Sequence, residues 1–317
     1  MTILIISARG DWSAEVVADQ LAARGVDCIR IDPGEFPRDA RLAARLGAGW
    51  SGTFTGNGGP RLALEDVTAV YYRRPSDFTM PDGMSGPELG FARSQARVGV
   101  GGVLASLPVK WINHPGALAD VEYKPRQLAA AADVGFIVPP TLITNDAAAV
   151  REFAEATGDL VVKPLADPIV AEAGDYTPVW TRRVTAADLV DLAGVETTAH
   201  LFQAWVPKAF EVRLTVVGRR LFPAAIHAGS DAARVDWRAD YDSLTYETIA
   251  CPAPVVASVA RFQQRFGLIY GAYDFVVTPD ARWVFLECNG GGQFGWLTEE
   301  LDLPIPAAIA DELTEAP

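Results

Sequence analysis

The sequence is short of the residues that build covalent or thiolate frameworks. Among 317 residues there are three cysteines, Cys28, Cys251 and Cys288, and no CxxC pair. That excludes a disulfide scaffold and suits a reducing, cytoplasmic location. The three histidines, His114, His200 and His227, are too scattered for a zinc signature. No apolar run approaches the ~18 residues of a membrane span. The apolar start Met1–Ala8 has no basic n-region before it, so it reads as a first strand and not as a signal peptide. Positive charge is outnumbered, with 27 basic against 40 acidic residues and a net charge of −13. Such a balance argues against sequence-independent nucleic-acid binding and leaves anionic ligands to local clusters of cations. Lysine is scarcest of all: only four of the basic residues, at 110, 124, 163 and 208, are lysines. Where arginine serves the surface, a lysine marks a place for a compact ammonium, unless the four are surface residues left by chance. There is no G-x-x-x-x-G-K-[ST], no G-x-G-x-x-G and no G-x-S-x-G, which removes the P-loop, the dinucleotide fingerprint and the serine hydrolase elbow. The run Gly99-Val100-Gly101-Gly102 falls in a helical stretch and is a weak phosphate loop.

What is present is the balance of a folded α/β protein, 50% apolar and 21% charged, about two domain lengths long. The first part alternates strand and helix. Strands are expected at Thr2–Ser7, Cys28–Ile31 and Val67–Tyr72, with helices at Trp12–Arg24 and Pro87–Leu107. A short helical stretch is expected before a hairpin of Gly47–Phe54 and Arg61–Leu64, and Trp111–Pro115 reads as a crossing segment. Residues 1–118 therefore form a small α/β domain. Next come a helix at Lys124–Val134, strands at Thr141–Thr144 and Asp159–Lys163, and a hairpin of Ile169–Ala173 with Pro178–Arg182 around Gly174-Asp175. A short helix, Ala186–Ala193, follows. The remainder is strand-rich: Leu201–Val206, Phe210–Val217 and Arg219–Ala228, then a polar loop of about two dozen residues holding Asp236-Trp237-Arg238. A helix at Val255–Phe266 and strands at Leu268–Val277 and Arg282–Cys288 complete the reading.

Chemistry gathers on the last two strands. A two-residue loop, Asp280-Ala281, sets Asp274 opposite Glu287, with Asn289 projecting from the same face. Facing carboxylates repel. Two carboxylates and an amide oxygen form a hard-oxygen set that Mg²⁺ accepts beside phosphate; a slip of one residue in register would separate the acids. Lys163 ends an apolar strand, either reaching a nucleotide phosphate or snorkelling to the surface. Lys124 opens a helix, where backbone amides also favour anions. Gln203-Ala204-Trp205-Val206 before Pro207 can present backbone groups to a flat base. Glu211 and Arg213 share a strand face, one suited to a ribose hydroxyl and the other to phosphate, unless they form a simple salt-bridged strand. Arg238 in the loop is placed to close over phosphates or is a solvated arginine.

The ordered combination of these elements resembles the ATP-grasp superfamily over residues 119–317. Within it the chain is similar to the peptide maturases that make graspetides, the microviridin-type ω-ester and ω-amide peptides. This resemblance rests on Tyr71-Tyr72-Arg73-Arg74-Pro75, Trp111-Ile112-Asn113-His114-Pro115, Pro139-Pro140-Thr141-Leu142-Ile143-Thr144-Asn145, and Phe285-Leu286-Glu287-Cys288-Asn289 with Gly292-Gln293-Phe294-Gly295-Trp296. The last stretch resembles the family's N-P-x-G-Q-W-x-W segment, with Gly290 where proline is usual and Phe294 for a tryptophan. The loop after Lys163 lacks the glycine-rich character of many ATP-grasp enzymes, which leaves the phosphate cover unidentified.

The resemblance implies an ATP-grasp fold: a pre-ATP-grasp domain (1–118), a central subdomain (119–203) and a C-terminal subdomain (204–317). It implies ATP and Mg²⁺, with Asp274, Glu287 and Asn289 as metal ligands. Lys124, Lys163, Gln203, Ala204, Trp205, Val206 and Glu211 would bind nucleotide, and Lys163, Arg213 and Arg238 would offset charge on the transferring group. The implied reaction turns Asp or Glu side chains of a ribosomal precursor peptide into acylphosphates and joins them to Ser/Thr hydroxyls or Lys amines. A leader segment on the central domain and a homodimer are also implied. Arg74 is a candidate substrate contact. Asp188 and Asp191, three apart on a helix, form a candidate acidic edge for a leader arginine, beside the hairpin Ile169–Arg182. The competing readings are an ATP-grasp ligase that joins free amino acids or modifies a protein terminus, and a non-catalytic nucleotide-binding protein.

Overall fold

The computed structural model describes residues 2–166, 169–172 and 175–315. Strand β1 (Thr2–Ile6) is apolar on both faces, and Leu4 and Ile5 are fully buried. That is the signature of a central parallel strand covered on both sides. Helix α1 (Trp12–Ala23) starts where the Asp11 carboxylate accepts the Ala14 N–H and leads to β2 (Cys28–Ile31), parallel to β1. The short helical stretch expected before Gly47 is instead mainly a strand. A single turn at Pro33–Glu35 precedes β3 (Arg41–Leu46), which pairs with β4 (Trp50–Thr55), itself paired with β5 (Arg61–Ala63). The segment Arg41-Leu42-Ala43-Ala44-Arg45-Leu46 fits either period locally, and pairing with β4 decides it. The chain then returns to β6 (Val67–Tyr72) on the other side of β1. Helix α2 (Gly86–Ala105) opens with a Ser85/Glu88 capping box. The expected crossing segment begins as a parallel strand, β7 (Lys110–Ile112), which completes the order β2-β1-β6-β7.

Two helices, α3 (Pro115–Glu122) and α4 (Lys124–Asp133), lead to a second sheet. It contains β8 (Thr141–Thr144), then helix α5 (Ala147–Thr157) capped by Asp146, then β9 (Leu160–Lys163). A separate hairpin, β10 (Ile169–Glu172) with β11 (Asp175–Pro178), interrupts it. The second strand of that hairpin begins three residues earlier than expected, and Gly174, expected in its turn, lies outside the described residues. After β12 (Arg182–Arg183), helix α6 (Ala186–Val190) and β13 (His200–Ala204), the sheet order is β12-β9-β13-β8.

The third sheet is antiparallel, ordered β16-β15-β14-β17-β18. Its strands are β14 (Phe210–Val217), β15 (Arg220–Ala228), β16 (Leu244–Thr248), β17 (Tyr270–Val277) and β18 (Trp283–Asn289). The long polar loop expected after Ala228 is therefore largely ordered: helix α7 (Asp231–Val235) and β16 occupy it, and Leu244 and Ala233 are buried. Helix α8 (Ala253–Phe266) stops at Gly267, whose φ of +65° is the left-handed cap. Helices α9 (Gly295–Leu301) and α10 (Ile305–Thr314) end the fold.

Core membership cuts across chain order. Val121, Leu128 and Phe136 pack with Phe262, Tyr273 and Phe285 of the five-stranded sheet and α8. Ile305 and Ile309 of α10 share a core with Ile3, Ile5, Val17 and Leu21 at the other end of the chain. The second of these cores joins the parallel sheet to the five-stranded one, whose Val217, Ala224, Tyr270 and Ala272 belong to it. The four-stranded sheet keeps a small core of its own around Val150, Leu160 and Phe202. Among the described residues, no helix is long and apolar enough to cross a membrane.

Candidate active site

A cavity of about 650 Å³ lies between the four-stranded and five-stranded sheets. Its floor is the β17–β18 hairpin, which is not closed by a two-residue loop. Thr278 N–H donates to the Arg282 carbonyl at 3.0 Å around Pro279-Asp280-Ala281, with Ala281 at φ +62°. The ladder that follows, Val277 with Trp283 to Phe275 with Phe285, is one residue off the expected register. A bulge at Leu286 then restores it, so Asp274 does pair with Glu287 and Ala272 with Asn289. The bulged strand is also held from outside, because Phe285 N–H donates to the Ile137 carbonyl at 2.8 Å. Asp274, Glu287 and Asn289 all line the cavity.

Each acid has its own cation. Arg213 donates to Asp274 through Nε at 2.7 Å and Nη2 at 3.3 Å. Lys124 lies 3.3 Å and Arg238 3.5 Å from Glu287. Burial pushes the Glu287 carboxyl up, but Lys124, Arg238 and Lys163 outweigh it and hold it below the ordinary carboxylate range. Burial raises Asp274, which Arg213 opposes and the facing Glu287 reinforces. Arg213 stands opposite Asp274 on the neighbouring strand and is not among the residues that line the cavity; its guanidinium is also 5.4 Å from the Trp237 ring centroid.

Lys163, at the end of β9, lines the cavity and has no hydrogen bond or ion pair among the described residues. Burial pushes its ammonium below the ordinary range, and Glu287 and Glu211 pull it back. Lys124, the first residue of α4, also donates to the Pro164 carbonyl at 2.8 Å, joining the two walls. The expected hinge is partly committed. Ala204 N–H bonds the Pro140 carbonyl and Trp205 N–H that of Asp159, while Gln203 donates to Thr141 Oγ1 at 3.0 Å. Val206 N–H has no partner among the described residues, and the residue lines the cavity. Arg183 stacks 4.3 Å from the Trp205 ring centroid. Glu211 lines the cavity and accepts from Lys208; burial raises its carboxyl and Lys208 opposes that.

Arg238 stands in a helical turn, Trp237–Ala239, not in a mobile loop. The Asp236 carboxylate fixes it at 2.8 and 3.1 Å and also accepts the Thr181 N–H at 3.1 Å from the opposite wall. Asp236, 4% exposed, is a site residue that sequence reasoning passed over; the only signal was its place beside Arg238. Gln127 was passed over too. It donates to the carbonyls of Val121 and Cys288 and accepts the Cys288 N–H at 2.7 Å, clamping β18 next to Glu287. Arg74 lines the cavity. Asp188 and Asp191 do not, and they do not form a free acidic edge. Helix α6 ends at Val190; Asp188 caps it and binds Arg182 at 2.8 Å, while Asp191 accepts the Ala193 N–H. The chain needs Asp188 for its own helix start.

The structure superposes on macrocyclase MdnC from Microcystis aeruginosa MRC, bound there to its precursor peptide MdnA, with a TM-score of 0.88 and 32% identity over 99% of both chains. The chain belongs to the ATP-grasp peptide macrocyclases. It is a ligase by that membership. A family model described as the MvdD pre-ATP grasp domain matches residues 2–118. The RiPP-associated ATP-grasp ligase of Chryseobacterium gregarium, in complex with ADP and a leader and core peptide, superposes with a TM-score of 0.91 at 27% identity, over 100% of this chain and 97% of that one. Macrocyclase MdnB of Microcystis aeruginosa MRC gives 0.81 at 28% identity over 99% of both chains. No curated protein sequence matches the chain.

Proposed function

We propose that this ligase uses ATP to activate Asp or Glu side chains of a ribosomal precursor peptide as acylphosphates, then joins them to Ser/Thr hydroxyls or Lys amines, releasing ADP and phosphate. The observation that carries this reading is the pairing of Asp274 with Glu287, beside Asn289 and sharing one cavity with Lys163, which has no hydrogen bond or ion pair among the described residues. A carboxylate does not acylate a hydroxyl or amine in water; phosphorylation supplies the leaving group, and the protein's share is positioning and charge neutralisation. The donor set fits Mg²⁺: two carboxylates and an amide oxygen, all hard, on neighbouring strands at the cavity wall. Bound there with the nucleotide, the ion would neutralise phosphate charge. Lys163 and Lys124 hold phosphate oxygens, and Arg238, fixed by Asp236, meets the negative charge of the transferring group. Arg213 orients Asp274. Val206 N–H and Glu211 receive the base and ribose.

The leader would dock on the β10–β11 hairpin and α6. Tyr176, Val179 and Trp180 are exposed there, while Asp188 is already spent on Arg182. We take the working unit to be a homodimer. The test is incubation with ATP, Mg²⁺ and a peptide bearing a leader and Asp/Glu with Ser/Thr or Lys. Phosphate release should match the loss of one water from the peptide per crosslink. Release of AMP and pyrophosphate, or equal turnover with free amino acids, would overturn the proposal.

A further inference from the structure

In the parallel sheet, order β2-β1-β6-β7, the chain leaves β1 toward β2 on one side and has β6 on the other. Open parallel sheets bind ligands at such a switch, in the crevice at the carboxyl ends of the two strands. Here that crevice holds a piece of the chain itself, the loop Gly290–Gln293 that follows Asn289. Arg73, directly after β6 and anchored by its N–H to the Ile6 carbonyl at 2.8 Å, lies at the bottom, only 4% exposed. Its guanidinium donates to the carbonyls of Gly291 at 3.0 Å and Gly292 at 3.4 Å, and to Gln293 Oε1 at 3.3 Å. Ser13 Oγ donates to the same Gln293 oxygen at 3.1 Å. The loop is held from further sides as well. Asn113 Nδ2 donates to the Gly290 carbonyl at 2.8 Å, and a Cβ on Gly292 would come 2.5 Å from that of Ala272.

The N–H groups of the same two glycines meet Asn289. Gly291 N–H donates to Asn289 Oδ1 at 2.9 Å, and Gly292 N–H to its carbonyl at 3.2 Å. Arg73 therefore grips the carbonyl of Gly291, the glycine whose N–H holds Asn289 Oδ1, and through the Gly291–Gly292 peptide it also meets the N–H on the Asn289 carbonyl; the carbonyl of the preceding peptide, Gly290–Gly291, is taken by Asn113. A guanidinium buried this deeply, with one carboxylate among the described residues, Asp11, 3.7 Å away, is a costly way to fill a crevice if packing were its only use. We infer that Arg73 is a positioning residue for the cation site: the N-terminal domain, through Arg73 with Ser13 and Gln293, sets the Asn289 side chain where it can complete the Asp274–Glu287 pair. This rests on the reading of Asn289 as a magnesium ligand.

The experiment compares ADP binding by calorimetry with and without Mg²⁺ in wild type, Arg73→Lys, Arg73→Met, Gln293→Ala and Glu287→Gln, with melting temperatures alongside. Arg73 touches no proposed nucleotide contact, so metal-free ADP affinity should stay at the wild-type value. The gain in affinity that Mg²⁺ brings should fall about tenfold in Arg73→Met, less in Arg73→Lys, and a few-fold in Gln293→Ala. Gln293 is exposed, so its variant decides the matter if Arg73→Met does not fold. A lowered melting temperature with an intact Mg²⁺ gain would make Arg73 merely structural and overturn the inference. Loss of the gain in Glu287→Gln alone would do the same and leave the metal site standing. No Mg²⁺ gain in wild type would remove the metal reading and the inference with it.

Discussion

The two walls of the cavity are built in opposite ways. On the five-stranded wall every charge is spoken for. Asp274 has Arg213, Glu287 has Lys124 and Arg238, and the strands beneath rest on fully buried Phe262, Phe275 and Phe285, with Phe136 stacked 5.1 Å from Phe285. On the four-stranded wall the core is small, Lys163 is uncommitted among the described residues, and the hairpin exposes Tyr176 and Trp180. Among the described residues, the bonds that cross include Asp236 to Thr181 N–H and Lys124 to the Pro164 carbonyl. On the proposed reading, phosphoryl transfer would gain from donors fixed in advance on the side that would hold the ion, and from a side that can adapt to nucleotide and peptide.

The sharpest way to break that contrast is Glu287→Gln. Turnover should fall about a thousandfold in a coupled phosphate-release assay. Facing acids alone would make loss of one of them harmless to the apo fold. The structure says otherwise, because Glu287 compensates Lys124, Arg238 and Lys163. The apo protein should therefore lose about 1–3 kcal/mol in denaturant titration. Unchanged apo stability would show the cations to be solvated and not held.

On the other wall, Lys163→Met should behave differently. It removes a half-buried ammonium that makes no hydrogen bond or ion pair among the described residues and is balanced only through the field of Glu287 and Glu211, so apo stability should change little, while ATP affinity falls about a hundredfold by calorimetry. Unaltered affinity would place Lys163 outside the site. Between the walls, Asp236→Asn weakens the grip on Arg238. We expect kcat to drop about tenfold with ATP affinity little changed, in steady-state kinetics; an unchanged kcat would mean that Arg238 needs no anchor.

The smallest effect concerns pH. Arg182, with Thr185, holds the Asp188 carboxyl at about 2, below its ordinary value of ~4. Because the folded value is the lower one, this contact stabilises α6 above about pH 4 and is lost as pH falls toward 2. The site is at the surface, so the change should be slight. Hydrogen exchange of α6 should rise over that window in wild type and be flat in Asp188→Asn. A flat wild-type profile would sink the assignment.

Strands with strict local patterning were legible in the residues: β14, β17 and β18, the lysine at the end of β9, and the D … E-x-N order all follow from apolar runs and alternation that neighbours in sequence impose. The strands β3 and β16 were not, since their mixed apolar and polar residues satisfy more than one period and only a partner strand selects between them. The same limit applies to the site. That Asp274 faces Glu287 was expected from a two-residue loop; the loop is longer, and the bulge at Leu286, on a strand also bonded to Ile137, makes the pairing. Asp188 was read as available because its bond to Arg182 spans a helix cap that sequence alone leaves open. Residue chemistry and its order along the chain came from the sequence by itself, because they depend on neighbours a few positions away. Register, the pairing of Arg213 with Asp274, and the seating of the Asn289 loop on Arg73 were decided by tertiary structure, because each is a bargain between segments far apart in the chain whose backbone groups must find partners once buried.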